Sequence, residues 1–384
     1  MPSVLTTIAA LCALLAVAGA AYFALCVWAA GRFCKAAHQT PHINFEPPVS
    51  ILKSLKGLDP HMYEAFRSHC RFDYGEYELL FGMSDMGEPA QALVARLQQE
   101  FPQRSIRVVH CPQSLGANGK VSTLAQVLPH ARYEHILIND SDIVAPPDYL
   151  RRVMTRLADE GVGMVTSLYR GLAGSTLASR MEALGLSTDF MGGVLVAREM
   201  EGGVHFALGA TMATTKSVLR TIGGLEPLVD YLGDDYELGA RTAAAGYGVE
   251  VADVVVETAL PDYSFGQFWS HQLRWARNVK DRRHGQYFGL IVTFGLVWGI
   301  LAVLANPRAW WTWAALVAVA ATRGMAAVTI GRRVLQDPGV LRDLWLLPLR
   351  DFAALAVWIA SFAGNEVEWR GMKFRVRDGK LEPL

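Results

Sequence analysis

From Met1 to Gly31 the chain carries no charged side chain, and Arg32 and Lys35 come directly after. A polypeptide that enters hydrocarbon must satisfy its own backbone, so a span longer than the roughly 20 residues that cross a bilayer is a helix there or nothing. A cleaved secretory leader would begin with a basic segment and have a shorter apolar core. "MPSVLTT" has no Lys or Arg, so a retained membrane anchor over 1–31 is expected, although "AVAGAAY" contains small residues suited to cleavage. The basic pair after the span places the next stretch of chain, from residue 36 onward, in the cytoplasm.

The overall composition agrees, since 52% of the residues are hydrophobic, high for a wholly soluble chain. Two more uncharged or nearly uncharged spans lie at 287–306 and 309–331, the second carrying only Arg323, with basic flanks at Lys280, Arg282, Arg283 and at Arg332, Arg333. They read as a hairpin whose flanks both stay inside. A third, 344–364, is interrupted by Arg350 and Asp351 and precedes a basic tail at 365–384, so its pattern fits a crossing or an interfacial helix equally. The 36 basic and 36 acidic side chains cancel, which leaves no global field to draw nucleic acid. Five cysteines, odd in number and without paired short spacings, fit reduced thiols better than disulfides or a zinc site.

Between the membrane pieces, over 36–285, the periodicity alternates. "VSILKSL" (49–55), "YELLFGM" (77–83), "SIRVVHC" (105–111), "HILIND" (135–140) and "VGMVTSL" (162–168) are short β-rich runs, and helical patterns separate the first four. This predicts an α/β domain with a Rossmann-like, mostly parallel sheet, whose ligands sit beyond the carboxyl ends of the strands. Asp85, Asp140 and Asp142 all fall at such ends.

Asp140 and Asp142 repel one another, and a divalent cation such as Mg2+ or Mn2+ relieves that repulsion while taking its remaining ligands from water and substrate phosphate. The rival is a helix cap, and Asp148, just before "YLRRVMTRL", is better placed for that task. "GANGKVSTL" (116–124) sets Lys120 at a helix start, a position suited to phosphate oxygens. Asp234 and Asp235 precede a further short helix. They are either caps or, with one carboxylate crowded by its neighbour and by a diphosphate, a diphosphate or acceptor contact beside a general base. Arg274 and Arg277 lie near one face of the helical stretch 271–283, suited to a diphosphate or to lipid headgroups.

The order of "PPVSILKSLKG", "FGMSDMGEPA", "NDSD", "LGDDYELG" and "QLRWARN" resembles the signature D, D-x-D, (E/D)-D, Q-x-x-R-W of processive-type glycosyltransferases, and the chain is similar over nearly its whole length to the ceramide glucosyltransferase family of GT-A enzymes. That resemblance implies a membrane enzyme moving a sugar from a UDP-sugar to a lipid acceptor by inverting single displacement. It places Lys53 and Ser54 in the nucleotide-binding first loop, Asp85 against the uridine, Asp140 with Asp142 on the metal, and Asp235 as catalytic base. Gln272, Arg274 and Trp275 then hold diphosphate and acceptor near the membrane. The flanking text is most similar to members that place N-acetylglucosamine on bacteriohopanetetrol, which implies a multi-pass protein of the bacterial inner membrane; glucosylation of ceramide is the alternative. A nucleotidyl or lipid-phosphate transferase, or an inactive membrane scaffold, are the readings from other classes.

Overall fold

The computed structural model describes residues 4–38, 45–57, 61–85, 87, 89–369 and 371–384; Met1 to Ser3 of the first apolar run, and Met86 and Glu88 of the Asp85 motif, lie outside them. Close packing divides the chain into two compact units. One comprises Thr40–Leu172, Met200–Pro261 and Gly379–Leu384, the other Met1–Gln39, Ala173–Glu199 and Asp262–Asp378.

The first unit is built on β1 (Val49–Leu55), β2 (Tyr77–Met83), β3 (Ser105–His110), β4 (His135–Ile138), β5 (Ile143–Val144), β6 (Val162–Leu172), β7 (Met212–Thr215) and β8 (Gly248–Ala259). They form one sheet in the order β3-β2-β1-β4-β7-β6-β8-β5. The β3-β2-β1-β4 half is parallel, as is β6 with β8, while β7 runs antiparallel to β4 and β6, and β5 antiparallel to β8. β2 is buried along its whole length and β1 at all but one position, as expected of central parallel strands covered on both faces. Helices Met62–Cys70, Pro89–Glu100 and Tyr149–Leu157 supply apolar residues such as Phe66, Val94 and Val153 to the core around Ile51, Leu79 and Phe81. The β1 and β2 expectations coincide with the observed strands, and β3 and β4 end one and two residues early. The short β5 and β7 and the long β8 are additions.

The antiparallel direction of β7 has a local consequence. Ile138, the last residue of β4, pairs with Met212, the first of β7. The turn before β7 therefore lies at the carboxyl end of β4, beside Asp140.

In the second unit, four helices among the described residues are long and apolar enough to cross a membrane: Val4–Ala37, Gly285–Ala305, Trp310–Val334 and Gly339–Ser361. The chain is a membrane protein. Its first helix packs closely on the later ones: a Cβ on Gly19 would lie 2.6 Å from the Cα of Gly295. Small residues of this kind let apolar helices approach backbone to backbone. The charges that interrupt the apolar runs find one another. Buried Arg323 donates from Nε to Asp351 Oδ2 (3.1 Å), from Nη2 to Asp351 Oδ1 (2.9 Å), and also to Asp189, while Arg350 lies 3.5 Å from Asp189. Asp189 sits in a wide, π-type turn, Leu186–Phe190. Residues 173–199 and 262–285, which the strand periodicity grouped with the sheet, pack with these helices.

Candidate functional site

Four of the expected residues converge in the sheet unit. Asn118 caps helix Gly119–Val127, its Oδ1 accepting from the backbone N–H of Lys120 (3.0 Å) and Val121 (3.2 Å). This cap aims Lys120 at two carboxylates, Asp140 Oδ1 at 2.7 Å and Asp234 Oδ2 at 3.0 Å. Asn118 also donates to Asp234 Oδ1 at 3.3 Å. Asp234 and Asp235 are the first two residues of helix Asp234–Ala244, whose N-cap is Gly233, so neither is the cap. Negative charge in a first turn is favoured by the helix dipole. Asp235 accepts from its neighbour Tyr236 N (2.7 Å) at Oδ1 and from Gly209 N (2.8 Å) at Oδ2.

Gly209 lies between the two key carboxylates. A Cβ there would stand 2.9 Å from Asp140 Oδ2 and 3.4 Å from Asp235 Oδ2, so only glycine leaves that space open.

The electrostatics follow from this crowding. Burial, then the charge of Asp234, pushes the Asp235 carboxyl up to about 6, against the opposing pull of Lys120. Burial works against the Lys120 ammonium, but Asp140, Asp234 and Asp235 outweigh it and hold the group above the ordinary lysine range. Asp235 is thus a carboxylate poised between its two protonation states near neutral pH, the condition a general base requires.

Lys53 is fully buried, its Nζ donating to the backbone carbonyl of Asp140 at 2.9 Å. Burial pushes this ammonium down to about 7, although Asp140 and Asp142 oppose it. Half-buried Ser54 follows it on β1. Asp142 accepts from Thr258 Oγ1 on β8 at 2.5 Å. Asp85 is exposed beyond β2 and folds onto its own turn, accepting from Gly87 N at 2.8 Å. Asp148 occupies the N-cap position of helix Tyr149–Leu157 but makes no side-chain cap; its carboxylate pairs with Arg152 at 3.3 Å instead, a correction that a residue at αR dihedrals explains.

The Q-x-x-R-W residues lie on helix Phe265–Arg282 in the unit of apolar helices. Gln272 donates to buried Glu182 (2.8 Å) and accepts from Arg350 (3.2 Å). The Trp275 ring stands 5.5 Å from Phe190 and 5.3 Å from His271, and Arg274 is half-buried. Arg277, expected with Arg274 to face a diphosphate or headgroups, donates to the Glu366 carbonyl, and its neighbour Lys280 donates to those of Ser361 and Gly364, satisfying the chain that leaves the last apolar helix.

Sequence reasoning passed over Asn139, Tyr149 and Gly209. Their only signal was position, beside an acidic motif or before a strand.

A mostly parallel eight-stranded sheet with carboxylates and a lysine gathered at its strand ends is the architecture of the GT-A class. The same fold is seen in the mannosyltransferase PcManGT from Pyrobaculum calidifontis, solved in complex with GDP-Man and Mn2+, which superposes with a TM-score of 0.56 at 21% identity over 92% of this chain and 98% of that one. The chain belongs to glycosyl transferase family 21, whose model matches residues 10–382. Among relatives, ceramide glucosyltransferase 1 of Caenorhabditis elegans is 23% identical over 87% of this chain and 72% of its own length. Ceramide glucosyltransferase 3 of the same organism is 24% identical over 62% of this chain, which spans about half (52%) of that relative.

Proposed function

We propose that this protein transfers a hexose, glucose in the first instance, from a UDP-sugar to the primary hydroxyl of a ceramide-like lipid. The observation that carries the chemistry is the pair of carboxylates flanking Gly209, Asp140 and Asp235, the second pushed up to about 6; we assign Asp140 to the donor diphosphate and Asp235 as the base. Asp235 takes the proton of the acceptor hydroxyl, whose oxygen forms the new bond at the anomeric carbon as the bond to the nucleoside diphosphate breaks. Lys120 receives the diphosphate charge. Lys53 acts from beneath by fixing the Asp140 backbone, and Ser54 and Asp85 border the nucleoside. Asp234 borders the diphosphate, and the family signature assigns Gln272, Arg274 and Trp275 to the diphosphate and acceptor. The relatives are ceramide glucosyltransferases, which supports a ceramide acceptor over the N-acetylglucosaminylation of bacteriohopanetetrol that the flanking sequence resembles.

The donor set suits a hard divalent cation. Among the described residues no three His, Cys, Asp or Glu side chains form a protein-only cage, whereas Asp140 and Asp142 can supply the one or two carboxylates that Mg2+ or Mn2+ takes when phosphate completes the shell. Such an ion would neutralise charge on the leaving diphosphate. The basic residues in the last turns of the first apolar helix, Arg32 and Lys35, support a cytoplasmic site, in a bacterial inner membrane or its equivalent.

The test is transfer by the purified protein in nanodiscs from UDP-glucose and UDP-N-acetylglucosamine, each offered with ceramide and with bacteriohopanetetrol. Glucosylceramide as the preferred product supports the proposal, and glucosaminyl transfer to the hopanoid replaces it. Excess chelator should abolish turnover and weaken UDP binding, both restored by Mg2+ or Mn2+; full turnover in chelator removes the metal.

A further inference from the structure

The turn Leu208–Thr211 is held residue by residue. Thr211 N donates to the Leu208 carbonyl at 3.0 Å and closes it. Leu208 N donates to Thr166 Oγ1 (2.9 Å), and Gly209 N to Asp235 Oδ2 (2.8 Å). The Ala210 carbonyl accepts from Asn139 Nδ2 (2.7 Å), and Thr211 Oγ1 bonds the Tyr149 hydroxyl (2.8 Å). Asn139 Nδ2 also donates to that hydroxyl, at 2.9 Å. Asn139, Tyr149 and Thr211 are all buried.

The orientation of the Asn139 amide is fixed by its partners. The Ala210 carbonyl can only accept, so the nitrogen must face it, and both amide protons are then used. The amide oxygen is left 3.3 Å from His69 Nε2. His69 Nδ1 donates to the Ala65 carbonyl at 2.8 Å, and burial keeps the ring neutral, so Nε2 bears a lone pair and that contact is packing rather than a bond. All the hydrogen-bonding capacity that Asn139 donates goes toward the turn.

Asn139 is the residue before Asp140, and the turn it holds donates to Asp235. We propose that Asn139 and Tyr149 are positioning residues that lock the turn Leu208–Thr211 in register with the end of β4, and so fix the Asp235 carboxylate relative to that of Asp140. This rests on the reading of Asp235 as the base. Neither residue touches substrate; each acts through the Gly209 N–H, which stabilises the ionised carboxylate. With both amide protons of Asn139 used, this buried network specifies one geometry, and loses it when a single member is removed.

The experiment compares Tyr149→Phe, Thr211→Val and Asn139→Ala with the parent protein in nanodiscs, recording kcat against pH, UDP affinity and the thermal midpoint. Loosening the turn weakens a hydrogen bond to the charged form of Asp235 and raises its pKa. The acidic limb of the kcat profile should then move up by about half a unit to one unit, with kcat at neutral pH down about tenfold and UDP affinity unchanged, because only the base has lost its register. Tyr149→Phe and Thr211→Val each remove one hydroxyl or exchange it for a methyl, and they carry the test if Asn139→Ala does not fold. A lowered midpoint with an unmoved acidic limb in the folded variants would overturn the proposal and leave the network a purely structural one. Asp235→Asn, run alongside, separates the two failures: if it retains kcat the base assignment is wrong, whereas if it is inactive while the limb stays put only the positioning role is.

Discussion

The two units handle buried charge in opposite ways. Among the apolar helices, charges are matched at close range: Arg323 with Asp189 and Asp351, and Arg180 with Asp343. At the strand ends of the sheet, Asp140, Asp234 and Asp235 surround Lys120, and burial disfavours the charge of the second lysine, Lys53. Matching inside an apolar bundle removes the cost of charge and fixes helix register. A surplus of carboxylate does neither. It raises a pKa and leaves an unmet demand for positive charge, which is what a site prepared for a cationic partner and a proton transfer needs.

Asp235→Asn gives the largest effect expected from this contrast. If the surplus is functional, kcat should fall by roughly a hundred- to ten-thousand-fold with UDP affinity retained. Stability should move the other way. The folded pKa of Asp235, about 6, exceeds its ordinary value of 3.8, so between these values the folded state binds more protons and stability falls as pH rises through the window. Removing the ionisable group should therefore raise the thermal midpoint at pH 7 relative to the parent, and a lowered midpoint there would argue that the carboxylate is structural. In the parent, kcat should decline as pH falls through about 6, where the base becomes protonated.

Arg323→Met probes the matched unit. It strands buried Asp351 without its bidentate guanidinium and leaves Asp189 only Arg350, at a cost of about 3–5 kcal/mol, read as a lowered unfolding midpoint in detergent. Asp351→Asn in the same chain should recover part of that loss. Normal stability of Arg323→Met would show that the cluster is not holding the helices. The smallest effect is expected from Lys120→Met, which should weaken UDP binding by about tenfold, or about 1.4 kcal/mol, the scale of one charge-assisted hydrogen bond. Unchanged UDP affinity would reassign Lys120 to a permanent structural pair with Asp140 and Asp234.

The same contrast explains what could be read in advance. β1 and β2 are legible because a central parallel strand is a short apolar run between turns, and the acidic positions are legible because paired carboxylates at strand ends have few other uses. Lys53 is harder. Inside "VSILKSL" a lysine reads as a loop contact to a ligand, and its inward path to the Asp140 carbonyl depends on a strand more than 80 residues away. Arg350 and Asp351 made 344–364 ambiguous for the same reason, since Arg323 and Asp189, which neutralise them, lie on other segments. β8 is Val-rich enough to be seen, but its parallel partner β6 is separated from it by helices of the other unit, which hides the pairing. Asn139, Gly209 and Tyr149 have no local signature, because their roles consist of distances across the sheet.

The pairing of β5 with β8 sets a schedule for biosynthesis. Strands β1 to β4 can pair with one another as soon as residue 138 has left the ribosome, although the far edge of β4 stays open until β7 emerges. Ile143 and Val144, by contrast, wait for Thr258 and Glu257, and the hydrogen bond from Thr258 to Asp142 cannot form before then. Asp235 and Gly209 also emerge well after Asp140. A nascent chain can thus carry a folded half sheet while the cluster of Asp140, Gly209 and Asp235 does not yet exist, and any ribosome that stalls before residue 258 releases a product that is structured in part but lacks the bond from Thr258 to Asp142.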